Sequence, residues 1–206
     1  MIGEPVARGG ATGLEGETMT TTVLLETDGL TLRPWTDADA AQLHAVAADP
    51  ELRRRTSLDI TSEQDALRWI AATRQAWADG ERFAFAVLVD ERVSGHIVLK
   101  RPGSATAEVG YWTAAHARGR GLAPRAVRAL TRWAFAGREG RRPGRIELLH
   151  QADNTGSCRV AQKAGYRLES VLPASPPHYP NDGHLHVCHA PGTPDGRPAA
   201  STGERG

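Results

Sequence analysis

The chain has 206 residues, 40% of them hydrophobic, which predicts one domain with a sizeable core rather than two. Twenty-five basic residues against 24 acidic ones leave a net charge of +1, so composition argues against a general nucleic-acid binder or a protein held to acidic membranes. Two cysteines, Cys158 and Cys188, are too few for a disulfide framework and point to a reducing cytoplasm.

Residues 1–23 scatter Gly, Glu and Arg without an apolar run, so they read as a flexible extension and not as a signal peptide, with Met19 an alternative start. Leu30 to Arg33 predicts a strand stopped by Pro34. Thr36 then caps a helix carrying Ala40, Leu43, Val46 and Ala47, which the pattern ends at Asp49-Pro50. Ser62 with Asp65 resembles a capping box and opens a helix with Leu67, Ile70 and Trp77 on one face. Arg82 to Val89 and Val93 to Lys100 are strands, and the link Asp90-Glu91-Arg92 is short enough for a hairpin. Phe83 to Val89 is the longest clear apolar run, far short of a membrane span.

Ala105, Ala107, Val109, Tyr111 and Thr113 alternate with Thr106, Glu108, Gly110 and Trp112, the period of a strand. Arg118-Gly119-Arg120-Gly121-Leu122-Ala123 follows, then Pro124 and a helical pattern through Ala126, Val127, Leu130, Trp133 and Ala134. A strand, a glycine loop and a helix in that order bring unpaired amides and the positive end of a helix dipole to one point, where a phosphate fits. Gly119 and Gly121 let the backbone approach it, and Arg118 and Arg120 add charge. The stretch also suits a plain strand-to-helix turn. Arg145 to Gln151 is a strand, Ser157 to Ala164 a helix closed by Gly165, and Tyr166 to Leu172 and His184 to His189 are the last strands. Residues 191–206, rich in Gly, Pro and Ser, read as a disordered tail, which leaves residues 24–190 as the domain.

Three separated pieces carry a resemblance. They are Val93-Ser94-Gly95-His96-Ile97, Glu108-Val109-Gly110-Tyr111-Trp112 leading into the glycine loop, and Asn154-Thr155-Gly156-Ser157 leading to Lys163-Ala164-Gly165-Tyr166. In that order they resemble the GNAT superfamily of N-acetyltransferases, and within it the ribosomal-protein N-terminal acetyltransferase branch. The resemblance implies an α/β (α+β) single domain, with a mixed, mostly antiparallel central sheet flanked by helices. It implies acetyl-CoA as the acyl donor, with its pyrophosphate on the amides of Arg118, Gly119, Arg120, Gly121, Leu122 and Ala123. Pro124 departs from the Thr or Ser that many relatives carry and removes one amide from the first helical turn.

Asn154 is implied to face the pantetheine arm, although its position equally suits a helix N-cap. Glu108 is implied as the base that neutralises an acceptor amine, with His150 the second candidate and a solvated strand carboxylate the plain alternative. Ser157 would protonate the leaving thiolate, bind coenzyme, or simply occupy a helical first turn. Tyr166 reads as core. His184, His186 and Cys188 share one face of a strand, but three ligands from one strand converge poorly, so no metal is expected. Arg53, Arg54 and Arg55 border the acceptor side, where they would meet an acidic acceptor or be solvated. The expected activity is acetyl transfer to a primary amine, on a protein N-terminus or a small molecule, with neither nucleic acid nor membrane as partner and a homodimer left open. The alternative is a non-catalytic acyl-CoA-binding or sensing module. A nucleotide site at the same loop would lack the Gly-Lys-Ser/Thr ending of a P-loop.

Overall fold

A computed structural model describes residues 24–27, 29–101, 104–137, 142–177 and 180–192. The segments expected to be flexible, residues 1–23 and nearly all of 191–206, lie outside them. The described residues form eight strands and five α-helices in the expected mixed architecture. No helix among them is long and apolar enough to cross a membrane.

β1 (Leu25–Thr27) and β2 (Leu30–Pro34) lead to one turn of 3-10 helix, Asp37–Asp39, that runs into α1 (Ala40–Ala47). Asp39 anchors this entry. Its carboxylate accepts from Thr36 N at 2.9 Å and holds the Arg33 guanidinium through two contacts of 2.7 Å while buried. Asp49-Pro50 does not simply end the helical region, as the sequence pattern suggested. It starts α2 (Pro50–Arg55), because Asp49 Oδ1 accepts from Glu51 N at 3.1 Å and Pro50 has the φ that a first helical position needs. α3 (Glu63–Ala78) opens as expected, with Ser62 Oγ accepting from Asp65 N at 3.1 Å.

β3 (Arg82–Val89) and β4 (Arg92–Lys100) make the expected hairpin, whose two turn residues, Asp90 and Glu91, have φ of 48° and 58°. β5 (Thr106–Thr113), α4 (Leu122–Ala136), β6 (Arg145–Gln151), α5 (Thr155–Lys163), β7 (Arg167–Leu172) and β8 (Gly183–His189) follow. The sheet order is β1-β2-β3-β4-β5-β6-β8-β7, and every neighbouring pair is antiparallel except β5 with β6.

Each sheet face carries its own core. Leu32, Phe85, Ile97 and Val109 pack with Val127 and Leu130 of α4 and Ala161 of α5. On the other face, Trp35, Val98 and Trp112 pack with Leu43 of α1, Leu52 of α2 and Ile70 of α3. Ala66 and Ile70 supply the buried stripe of α3, whereas Trp77 packs edge-to-face with Phe83 and Phe85, which in turn meet Trp133 of α4.

The feature that positions the site is a break in pairing. β5 and β6 pair only through Thr106 with Arg145, Ala107 with Ile146 and Glu108 with Glu147. β5 continues along β4 to Thr113, and β6 continues along β8 to Gln151. Beyond Glu108 the two parallel strands therefore part into a wedge. α4 follows the end of β5 and α5 follows the end of β6, so both helix N-termini lie at the open end, where parallel strands generally receive ligands.

Candidate functional site

A cavity of about 500 Å³ fills the wedge. Glu108, Gly110 and Tyr111 line it from β5, His150 and Gln151 from β6, and Ser157 from α5. Arg54 and Arg55 of α2 stand at its edge, both drawn toward Glu51, while Arg53 turns back to donate to Ala47 O at 3.0 Å.

Glu108 sits where the pairing of the two strands ends. Its Oε1 accepts from Lys100 Nζ at 2.6 Å, and Oε2 lies 3.6 Å from the Arg101 guanidinium. Strand alternation directs Glu108 and Trp112 to the face carrying α1, α2 and α3, and Val109 and Tyr111 to the face carrying α4 and α5. One strand thus serves both sides of the wedge.

Tyr111 was not singled out in the sequence, where it reads as one apolar step of an alternating strand. In the structure its hydroxyl donates to Ser157 Oγ at 3.0 Å across the wedge. Burial pushes the Tyr111 phenol above its ordinary pKa, so it keeps its proton as a donor. His150 also lines the cavity, with Nδ1 2.7 Å from Gln151 O, and burial lowers its pKa. Tyr166 is core as expected, 2% exposed and 2.7 Å from Thr131 Oγ1.

The loop Arg118 to Ala123 is exposed up to Leu122, the first residue of α4. Gly119 and Gly121 have φ of 76° and 71°, left-handed values that other residues adopt only at a cost. The amides of Gly119, Arg120, Gly121, Leu122 and Ala123 have no protein acceptor among the described residues. Pro124 falls in the first turn of α4, where its missing N–H breaks no helical hydrogen bond. The Arg118 side chain is engaged elsewhere, in an ion pair with Asp49, the cap of α2. Asn154 caps α5, its Oδ1 accepting from Ser157 N at 3.1 Å, so the capping alternative weighed for it describes its contact here. Its Nδ2 has no protein partner among the described residues.

Unpartnered amides at the N-terminus of α4, which follows the end of β5, are the kind of place where phosphate groups bind. Residues 29–167 match the family described as the Acetyltransferase (GNAT) domain. This chain belongs to the GNAT acetyltransferase family. Acetyl-CoA is therefore its acyl donor.

The fold is shared with solved GNAT structures at low identity. The microcin C7 self-immunity acetyltransferase MccE, in complex with acetyl-CoA and AMP, is 18% identical with a TM-score of 0.70, over 79% of this chain and 93% of its own. RimL, a ribosomal L7/L12 α-N-protein acetyltransferase in complex with coenzyme A, is 19% identical with a TM-score of 0.71, over 81% and 98%. Mycobacterium smegmatis RimJ, in complex with a CoA disulfide, is 21% identical with a TM-score of 0.70, over 82% and 87%. No curated protein matches the sequence.

A group of histidines stands close to the wedge. The strand pattern puts His184, His186 and Cys188 together. In the structure Cys188 stands apart, its Sγ 4.0 Å from His189 O, and His184 and His186 meet His150 and Cys158 instead.

Proposed function

We propose that this GNAT domain transfers the acetyl group of acetyl-CoA to a primary amine, on a protein N-terminus or a small molecule, by direct attack of the amine on the thioester. The observation that carries the proposal is the convergence of an acceptor and a donor of protons on one cavity. Glu108 opens to it from one sheet face, and the Tyr111–Ser157 pair faces it from the other. The amine nitrogen attacks the thioester carbonyl, the C–S bond breaks, and the sulfur leaves as a thiolate. Glu108 takes the proton that the amine must lose, directly or through a water. Ser157 gives its hydroxyl proton to the thiolate and takes one from Tyr111, and solvent returns a proton to Tyr111 as Glu108 releases the one it took.

Lys100 holds one Glu108 oxygen and leaves Oε2 with only the longer approach from Arg101, so that oxygen is the one assigned to the amine. The coenzyme pyrophosphate is assigned to the amides from Arg118 to Ala123 and the pantetheine to Asn154 Nδ2. An intracellular protein is the natural setting, since acetyl-CoA is found there.

Replacing Glu108 by Gln tests the reading. The variant binds acetyl-CoA like the parent in a calorimetric titration, while thiol release with an accepted amine slows by about 10²- to 10⁴-fold. A parent that binds acetyl-CoA and releases no thiol with any of a panel of amines and peptide N-termini would make this a binding module instead.

A further inference from the structure

Behind Ser157, on the α4/α5 face of the sheet, four nitrogen and sulfur side chains from three elements meet. They are His150 on β6, Cys158 on α5, and His184 and His186 on β8. Their ligand atoms all lie within 4.8 Å of one another. The register of β6 with β8 places His150 opposite His184, and the alternation of β8 puts His186 on the same face. Cys158 Sγ is 3.2 Å from His184 Nδ1, and the rings of His150 and His186 are stacked with centroids 5.3 Å apart.

This arrangement is costly as it stands. His186 is fully buried, and neither of its ring nitrogens has a hydrogen-bond partner among the described residues. His150 Nε2 is buried and without a partner as well. Buried polar atoms are normally satisfied, so two imidazoles with lone pairs facing one small space point to an electrophile that fills it.

The donor set identifies that electrophile. Three imidazoles and a thiol, with no carboxylate, suit a borderline-soft first-row ion and not magnesium or calcium. In a tetrahedral zinc site, bonds of about 2.0–2.3 Å put ligand atoms roughly 3.3–3.7 Å apart, so these four side chains need to close by only about 1 Å. Four protein ligands also complete a tetrahedron and leave no open position, as in structural zinc sites.

We propose that His150, Cys158, His184 and His186 bind one zinc ion, which ties the first turn of α5 to β6 and β8. The bound ion anchors the turn that carries Ser157. Cys158 binds as the thiolate and releases one proton, and the three histidines bind neutral.

Cobalt(II) added to metal-stripped protein is the first probe. One equivalent gives tetrahedral d–d bands and a thiolate-to-cobalt charge-transfer band, and zinc displaces both. Cys158→Ser abolishes the charge-transfer band, and Cys188→Ser leaves it unchanged. Zinc at about a hundred times its dissociation constant raises the thermal midpoint of the parent by about 5–10 °C and has no such effect on a Cys158→Ser/His184→Ala variant. A parent that shows no charge-transfer band overturns the proposal, and this reading needs no variant to fold. So does a band that survives Cys158→Ser, or a zinc-induced rise in midpoint equal in parent and double variant. None of these readouts depends on which amine the enzyme accepts.

Discussion

The Tyr111 hydroxyl donates to Ser157 Oγ at 3.0 Å, and this bond bridges the wedge at the place where β5 and β6 have parted. It leaves the Ser157 proton free to point into the cavity, and the raised pKa of the buried phenol keeps Tyr111 a donor at neutral pH. If Ser157 protonates the thiolate, the two residues act as one relay. Tyr111→Phe then lowers kcat by about 10², the low end for a positioned proton donor, without weakening acetyl-CoA binding. Adding it to Ser157→Ala costs nothing further, because the relay is already broken. Steady-state thiol release by the two single variants and the double variant checks this, and independent, multiplicative losses would dissolve the relay.

Gly121 caps α4 with φ of 71°, and a Cβ there meets nothing within 4 Å. The cost of Gly121→Ala is thus conformational and not steric, about 1–2 kcal/mol for a left-handed residue. The expected outcome is a thermal midpoint lower by roughly 2–8 °C together with a loss of acetyl-CoA affinity, since relief of the strain turns the cradle amides. A variant destabilised to that extent with coenzyme affinity intact would remove the loop from the coenzyme site.

Arg118 was expected to add charge to the cradle, yet it is spent on Asp49. Asp49→Asn keeps a good helix cap on α2 and removes the charge that holds the guanidinium. Because the pair is partly exposed, little stability is at stake, and the released Arg118 strengthens acetyl-CoA binding by about two- to fivefold. The gain should fade with added salt. Calorimetric titrations at low and high ionic strength measure both, and unchanged affinity at low salt would show that Arg118 does not reach the phosphates.

Local sequence carried much of this fold. The capping pair Ser62 and Asp65, the hairpin at Asp90 and Glu91, and the strand Arg145–Gln151 follow from patterns within a few residues. α2 is legible too, since Asp49-Pro50-Glu51 is a cap, a first-position proline and an acidic first turn, but Asp-Pro equally marks a helix end. Long-range pairing was not legible. The resemblance implies a splayed edge along the Glu108 strand, but no residue near Glu108 marks where β5 and β6 part, so Tyr111 reads as an ordinary strand residue. The histidine group needs the β6–β8 register and the docking of α5 before His150 and Cys158 can be placed beside His184 and His186. Alternation along β8 alone pointed to Cys188.

His96 makes folding sensitive to acid. Trp35 Nε1 donates to its Nδ1 at 3.1 Å, so the folded state needs that nitrogen unprotonated, and the ring is stacked on Trp112. Burial, with the positive charge of Lys100 adding to it, pushes the pKa down from 6.5 to about 3. Between those values the unfolded chain binds a proton that the folded chain refuses, so stability is fully present above pH 6.5 and declines as the pH falls. The slope is about 1.4 kcal/mol per pH unit, or about 2 kcal/mol lost by pH 5 from this residue alone. His96→Asn keeps an acceptor for Trp35 and abolishes the titration. The variant is less stable at pH 7.5, and its loss between pH 7.5 and 5 is smaller than the parent's by about that amount. Denaturant unfolding at both pH values gives the four stabilities required. Burial also lowers the pKa of His150 and His186, so the parent's slope has other contributors and the difference between parent and variant is the decisive quantity. Equal losses in the two proteins would mean that His96 takes up its proton in the folded state, with Trp35 giving way.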